Sequence, residues 1–284
     1  MARWQLKSIS LDLNPFLIVG ILNLTPDSFY DGGKYSDLAS ALDKVDEIIT
    51  YGDIIDVGGE STRPYSKRIS ALEEKQRVMP VLDAILEKYP QAVVSLDTYR
   101  SEVAKIGLDK GVQIINDVSG FEFDPVLLDV ILEYQPGYVL MHSLGRPENM
   151  QDDPKYDDVI DEIKSFFVEK LNVLVKGGLD EEKIVLDPGI GFGKLLEHNL
   201  TILARIEEFF ELGRPIFLGL SNKSMWEKLL GLGLGERQVA TQVGTALMAA
   251  KGVAIHRVHE VKLTRDTLTI VQALKKVKNS NGLI

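Results

Sequence analysis

The chain has 284 residues, 45% of them hydrophobic and 26% charged, with a formal net charge of −10 and no cysteine. This is the composition of an ordinary globular protein, long enough for two small domains or for one α/β barrel of roughly 250 residues. The acidic balance argues against general nucleic-acid or anionic-membrane binding, though not against a local basic pocket, and the lack of cysteine excludes disulfides, zinc thiolates and thiolate nucleophiles.

Residues 16–22 form a dense apolar run that reads as a buried strand. The loop Asn23-Leu-Thr-Pro-Asp-Ser-Phe-Tyr-Asp-Gly-Gly33 follows, rich in Pro, Gly and Asp. Leu38, Leu42, Val45, Ile48 and Ile49 recur at helical spacing. A second strand, 54–57, leads into Gly58-Gly-Glu-Ser-Thr-Arg-Pro64, and 69–88 is a helix with Val78, Leu82 and Ile85 on its apolar face. Strand three, 92–96, ends at Asp97, and Ser101 is expected to N-cap a helix reaching Leu108. Strand four, 112–115, ends in Asn116-Asp117, and Pro125 starts a helix to Tyr134. Strand five, 138–141, precedes His142 and a loop over 143–154. A helix over 159–175 leads to strand six, 183–186, and a helix over 200–212 to strand seven, 216–220, which ends in Ser221-Asn222-Lys223. Helical segments at 225–230 and 236–251 precede strand eight, 253–258, and a last helix spans 264–276.

Strands that alternate strictly with helices must pair in parallel through crossovers, and eight such units close into a (β/α)8 TIM barrel. We expect a single domain over 1–284, with the barrel core at about 16–278. A doubly wound open sheet would leave two edge strands, and none of the eight is short, charged and edge-like. Residues 1–14 lack the apolar run of a signal peptide and no window of about 18 apolar residues occurs, so a cytoplasmic protein is expected.

The most informative stretch is Ile184-Val-Leu-Asp-Pro-Gly-Ile-Gly-Phe-Gly-Lys194. Asp187 stands where a buried strand ends, and the Pro and Gly residues behind it let the backbone approach something small and flat. A barrel keeps its site at the C-terminal strand ends. Here those ends carry Asn23, Asp56, Asp97, Asn116, Met141-His142, Asp187, Ser221 to Lys223, and Arg257-Val-His259. Any one of these reads equally well as a helix cap or a loop salt bridge, but their recurrence at one topological level points to a site.

The set divides in two. Asp97, Asn116 and Asp187, with Lys223, suit a flat heterocycle: a buried carboxylate accepts two hydrogen bonds from an amidine-like edge, Asn offers both polarities and Lys meets a ring carbonyl. Arg63, Arg257 and His259, with the hydroxyls of Ser61 and Thr62, suit a phosphate-type anion, and Arg257 and His259 point the same way at i and i+2. Asn23 is placed to offer a carbonyl oxygen to a hard cation beside that anion.

The segments Gly20-Ile-Leu-Asn-Leu-Thr-Pro-Asp-Ser-Phe-Tyr-Asp-Gly-Gly33, Asp56-Val-Gly-Gly-Glu-Ser-Thr-Arg-Pro64, Ser95-Leu-Asp-Thr98, Ile115-Asn-Asp-Val-Ser-Gly120, Leu186-Asp-Pro-Gly-Ile-Gly-Phe-Gly193, Ser221-Asn-Lys-Ser224 and Arg257-Val-His259 together closely resemble the dihydropteroate synthase family. The resemblance implies an enzyme that joins 4-aminobenzoate to (7,8-dihydropterin-6-yl)methyl diphosphate, releasing diphosphate and 7,8-dihydropteroate for folate synthesis. It implies that Asp97, Asn116, Asp187 and Lys223 hold the pterin, with Met141 packing beside it. Thr62, Arg63, Arg257 and His259 would bind the diphosphate, and Asn23 would ligate Mg²⁺ there. Phe29, Asp31, Pro64, Phe192 and Ser224 would line the 4-aminobenzoate site, with Asp31, Arg63, Lys223, Arg257 and His259 as the catalytic set. The family also implies a homodimer through the last helices, with small-molecule substrates as the other partners and neither nucleic acid nor membrane among them. Diphosphate would leave first, before the arylamine attacks, so no protein nucleophile is needed.

Two positions depart from the family pattern. Arg is usual where Asn222 precedes Lys223, and Gly-Ala is common where Tyr65-Ser66 follows Pro64. Both lie near the expected 4-aminobenzoate entrance, so altered sulfonamide sensitivity is expected. Two other classes compete. A pterin-dependent methyltransferase passing a folate methyl to a corrinoid protein would not need Arg63, Arg257, His259 or a cation site. A non-catalytic accessory homologue fits poorly with so complete a set. Simple turn chemistry accounts for Gly32-Gly33. His198 and His256 read as solvated or structural, Lys67-Arg68 as a solvated pair, and Lys275-Lys276-Val277-Lys278 as an exposed helix end.

Overall fold

Each apolar run becomes a strand covered by helix, because a strand buried on both faces needs layers on both sides. The structure, a computed structural model, describes residues 3–25 and 34–280; Phe29 and Asp31 lie outside the described residues. The order is β1 (Arg3–Gln5), β2 (Ser10–Asp12), β3 (Leu17–Asn23), α1 (Lys34–Tyr51), β4 (Ile54–Gly58), α2 (Ala71–Lys88), β5 (Val94–Asp97), α3 (Ser101–Lys110), β6 (Ile114–Asp117), α4 (Val126–Tyr134), β7 (Gly137–Met141) and α5 (Val159–Lys176), then β8 (Ile184–Asp187), α6 (Leu196–Ala204), β9 (Phe217–Leu218), α7 (Met225–Leu230), α8 (Gln238–Lys251), β10 (Ile255–Val258) and α9 (Val261–Ser280). The eight strands from β3 to β10 pair in parallel in the order β8-β7-β6-β5-β4-β3-β10-β9. A parallel bridge between Leu186 and Ile216 joins the two ends of that order, and the Leu186 N–H donates to the Pro215 carbonyl at 2.9 Å. The (β/α)8 barrel expected from the alternation is therefore the observed architecture.

Two apolar layers hold it. One lies between the strands and the helices, with Ile48, Leu82, Val103, Ile131, Phe167 and Phe209 among its fully buried members. The other fills the lower barrel interior with Leu17, Val19, Ile54, Ile114, Val139, Val185, Phe217 and Ile255. The β1–β2 hairpin plugs that end: Trp4 and Leu6 are buried against the interior layer, and Trp4 Nε1–H donates to the Lys183 carbonyl at 2.8 Å. No period in the sequence announces this hairpin, since three-residue strands are too short to show an alternation.

Smaller differences have local causes. Residues 200–212 do not form one helix; α6 ends at Ala204 and a 3-10 stretch, Ile206–Leu212, takes over. Ser101 is not the cap of α3. Arg100 occupies that position, and Ser101 instead donates both its N–H and its hydroxyl to Asp124 at 2.7 Å, tying α3 to the segment before α4. His256 is structural as expected, buried with Nε2 3.1 Å from the Val253 carbonyl. Lys275 is more than an exposed helix end, because its ammonium donates to the Ala249 carbonyl near the end of α8 at 2.6 Å. No helix among the described residues is long and apolar enough to cross a membrane.

Candidate active site

Strand register sets the first row of the site. Asn23 pairs with Gly58, Gly58 with Asp97 and Asp97 with Asn116, so these residues lie side by side at one level of the mouth. Gly58 makes room for the row: a Cβ there would meet Asp97 Cβ at 3.4 Å and Asn23 Oδ1 at 3.6 Å. On the far side Met141 pairs with Asp187. Met141 belongs to an apolar patch with Tyr99, Val118, Met150 and Phe192, which gives the polar floor a hydrophobic flank.

The floor is buried and charged. Burial pushes the Asp97 carboxyl up to about 7, against the opposing pull of Arg257. Asp187 is likewise raised by burial, although the Gly189 N–H donates to its Oδ1 at 2.8 Å and Lys223 and Arg257 counter the shift. Burial also lowers the Lys223 ammonium to about 8, with Asp187 restoring part of its charge. Lys223 Nζ lies 4.4 Å from the centre of the Phe192 ring. Arg257 reaches across the barrel: Nε donates to Asp56 and Nη2 to Asp97, both at 2.6 Å. It therefore touches the ring floor as well as the anion side to which its spacing assigned it.

The glycine loop after β8 is held from beneath. At Gly189, with φ of +70°, a Cβ would stand 2.0 Å from the His142 carbonyl oxygen, so no side chain fits. The Lys194 ammonium is buried there, 3.0 Å from His142 Nδ1 and 3.0 Å from the Phe192 carbonyl, and burial lowers it to about 7. It pins the Phe192 segment to the exit of β7.

On the anion side, His259 Nδ1 lies 2.9 Å from Ser221 Oγ, which also receives the His259 N–H at 3.3 Å. The serine proton is then available to Nδ1, which leaves the ring proton on Nε2. Burial, then Arg257, Arg63, Lys44 and Lys223, holds His259 down to about 3, so it is a neutral donor. The loop after β4 folds on itself through Ser66 Oγ–H to the Ser61 carbonyl at 2.5 Å, and leans on the β7 loop through Tyr65 N–H to the Pro147 carbonyl at 2.9 Å. Tyr65 has φ of +62°, a conformation that Gly adopts without strain and Tyr does not. Asn222 has φ of +58°, which Asn tolerates well, and its carbonyl receives Arg237 Nη1 at 3.0 Å.

Asn23, Thr62, Arg63, Pro64, Phe192, Lys223, Ser224, Arg257 and His259 line one cavity of ≈ 410 Å³. Asp97, Asn116, Met141 and Asp187 are buried at the strand ends; of the cavity wall, Arg257 donates to Asp97 and Lys223 interacts electrostatically with Asp187. Phe29 and Asp31 lie outside the described residues. Arg237 also lines the cavity and Lys194 is buried beneath the glycine loop, although neither carries a local sequence signal that sets it apart from a solvated side chain. As for a cation, Asn23 offers one neutral oxygen on the cavity wall, and no group of three or more His, Asp or Glu able to hold a metal occurs among the described residues. That donor set fits a Mg²⁺ ion that keeps its waters and takes most other oxygens from a bound phosphate.

The family model for pterin binding enzymes matches residues 19–259. The dihydropteroate synthase of Escherichia coli K12 is 41% identical over 275 residues, covering 96% of this chain and 97% of that protein. Among solved structures, Yersinia pestis dihydropteroate synthase in a sulfonamide drug complex superposes with a TM-score of 0.90 at 36% identity, covering 96% of this chain and 99% of that one. Xanthomonas albilineans dihydropteroate synthase with 4-aminobenzoic acid gives a TM-score of 0.89 at 34% identity, with coverages of 96% and 98%.

Proposed function

The chain belongs to the dihydropteroate synthase family of pterin-binding enzymes, and from that membership we propose that it condenses (7,8-dihydropterin-6-yl)methyl diphosphate with 4-aminobenzoate to give 7,8-dihydropteroate and diphosphate. The observation that carries this reading is Arg257, whose guanidinium reaches the buried carboxylate Asp97 while lining a cavity that also holds Arg63 and His259. A ring with donors and acceptors and an anion attached to it are thus met by adjoining groups.

The roles follow from the chemistry. Asp187 and Asp97 accept from the amino and ring N–H edge of the pterin, Asn116 adds a further polar contact, Lys223 donates to the ring carbonyl and Met141 packs on the ring. Thr62, Arg63, Arg257 and neutral His259 donate to the diphosphate oxygens. Asn23, on the cavity wall, would hold Mg²⁺ on the anion side, and the ion would supply further neutralisation of the leaving charge. The bond from the methylene carbon to the diphosphate oxygen breaks first, its electron pair leaving with the diphosphate, and the cation left behind is delocalised into the pterin ring. The nitrogen of 4-aminobenzoate then bonds to that carbon and sheds a proton. Pro64, Phe192 and Ser224, which line the cavity, flank the arylamine. The loop after β4, leaning on the β7 loop, excludes water that would otherwise quench the cation.

A homodimer belongs to the same reading. Val239, Val243 and Leu247 are spaced four apart on α8 and are 75%, 55% and 58% exposed, with Ile270 and Leu274 exposed on α9. Such an apolar face suits a second copy of the chain. The test of the function is diphosphate release from the pterin diphosphate with Mg²⁺, followed with and without 4-aminobenzoate. Release that depends on both substrates and matches dihydropteroate formed supports the assignment; release indifferent to 4-aminobenzoate, or none, defeats it.

A further inference from the structure

Asp56 belongs to neither of the two groups above, yet members of both hang from it. It lies on β4 two residues before Gly58, on the same face of the strand and one layer deeper in the barrel. It is fully buried, and a single oxygen, Oδ2, accepts from Arg257 Nε at 2.6 Å and from Asn116 Nδ2 at 3.1 Å. Its other oxygen, Oδ1, is buried with no hydrogen-bond partner among the described residues. A second carboxylate, Asp97, shares the same guanidinium. Two buried carboxylates on one cation are a poor way to gain stability, since an apolar side chain of similar size would fill the space without the desolvation cost.

The arrangement does fix two orientations. With Nδ2 donated downward to Asp56, the Asn116 amide turns its oxygen away from Asp56, so Asn116 meets a ligand as an acceptor. With Nε and Nη2 both engaged by carboxylates, the plane of the Arg257 guanidinium is set, and the rest of it faces the cavity that Arg257 lines. We propose that Asp56 is a positioning residue, which sets the Asn116 acceptor for the pterin ring and the Arg257 guanidinium for the leaving diphosphate from one oxygen atom. The ring and its diphosphate are then read in one fixed relation, which a reaction that breaks the bond between them requires. This inference rests on the substrate reading above and deepens it.

Asp56→Asn tests it, because it keeps the volume and one acceptor oxygen but removes the charge that holds Arg257. Wild type and variant are titrated calorimetrically with 6-hydroxymethyl-7,8-dihydropterin and, with Mg²⁺, with its diphosphate. The wild type is expected to bind the diphosphate more tightly than the alcohol. The variant should lose about tenfold of that increment while its affinity for the alcohol falls only about threefold. An increment retained in full overturns the proposal. So does an equal loss for both ligands accompanied by a lower Tm, which marks a purely structural role. A wild type that binds neither ligand would defeat the substrate reading itself, and the proposal with it. If the variant does not fold, nitrogen-15 NMR of the wild-type Arg257 Nε–H decides. Slow solvent exchange, unchanged when the alcohol binds, supports the tether to Asp56; exchange as fast as that of an exposed arginine refutes it.

Discussion

The two ends of the barrel are made from the same eight strands by opposite means. The interior of the lower end is apolar and is capped by a hairpin whose buried Trp4 has its N–H satisfied. The upper end buries Asp56, Asp97, Asp117, Asp187 and Lys194 beside the half-buried Arg257 and Lys223, and leaves Asp56 Oδ1 without a hydrogen-bond partner among the described residues. A fold gains nothing from such a concentration of desolvated charge, so the asymmetry separates the residues that stabilise from those that recognise.

The comparison breaks if a substitution at one end behaves as though it were at the other. The largest effect should come from Asp187→Ala, which removes a charged acceptor and should weaken pterin binding by roughly 100-fold or more with little change in Tm. A retained affinity would remove Asp187 from the floor. Trp4→Ala at the closed end should cost about 3 to 5 kcal/mol of stability in chemical denaturation, while kcat/KM of the folded fraction stays the same. A loss of specific activity would show that the two ends are coupled. The pH profile sharpens the picture further. If Asp97 and Lys223 hold the ring as proposed, binding needs the first ionised and the second protonated, so affinity should rise as pH passes about 7 and fall above about 8. Between pH 6 and 7.5 the expected gain is roughly 6-fold for one proton on each group, and Asp97→Asn should flatten that rising limb. The raised Asp97 carboxyl has the opposite sign for folding: its stabilising contribution is complete below its ordinary value of 3.8 and is lost as pH rises to about 7. The smallest effect concerns the rim. Asn222→Arg should change sulfonamide inhibition by roughly 5-fold, a guanidinium over an aromatic ring being worth about 1 kcal/mol. Inhibition identical to that of the wild type, at matched substrate saturation, would show that this position does not shape the entrance.

Much of the upper end was legible in the sequence for a physical reason. A buried parallel strand is a short apolar run, and Asp97, Asn116 and Asp187 each follow one directly, so the run itself marks where the mouth begins. What escaped was set by distance along the chain. The bond from Arg257 to Asp56 spans 201 residues, and nothing local to either residue announces it. The spacing of Arg257 from His259 points to the anion, whereas the fold also places Arg257 on Asp97. Lys194 follows a glycine loop with no local sign of burial; the fold encloses its ammonium between His142, the Phe192 carbonyl and Gly189. The β1–β2 hairpin escaped because its two strands are three residues each, and the barrel it plugs, more than its own pairing, gives it a reason to fold.

The division of labour within the mouth is tested most directly by titrating Arg257→Ala and the wild type with the pterin alcohol and with the pterin diphosphate. If the floor reads the ring and the anion side reads the leaving group, the variant loses most of the affinity that the diphosphate adds and keeps most of its affinity for the alcohol. An equal loss for both ligands would contradict that division and make Arg257 part of the floor alone.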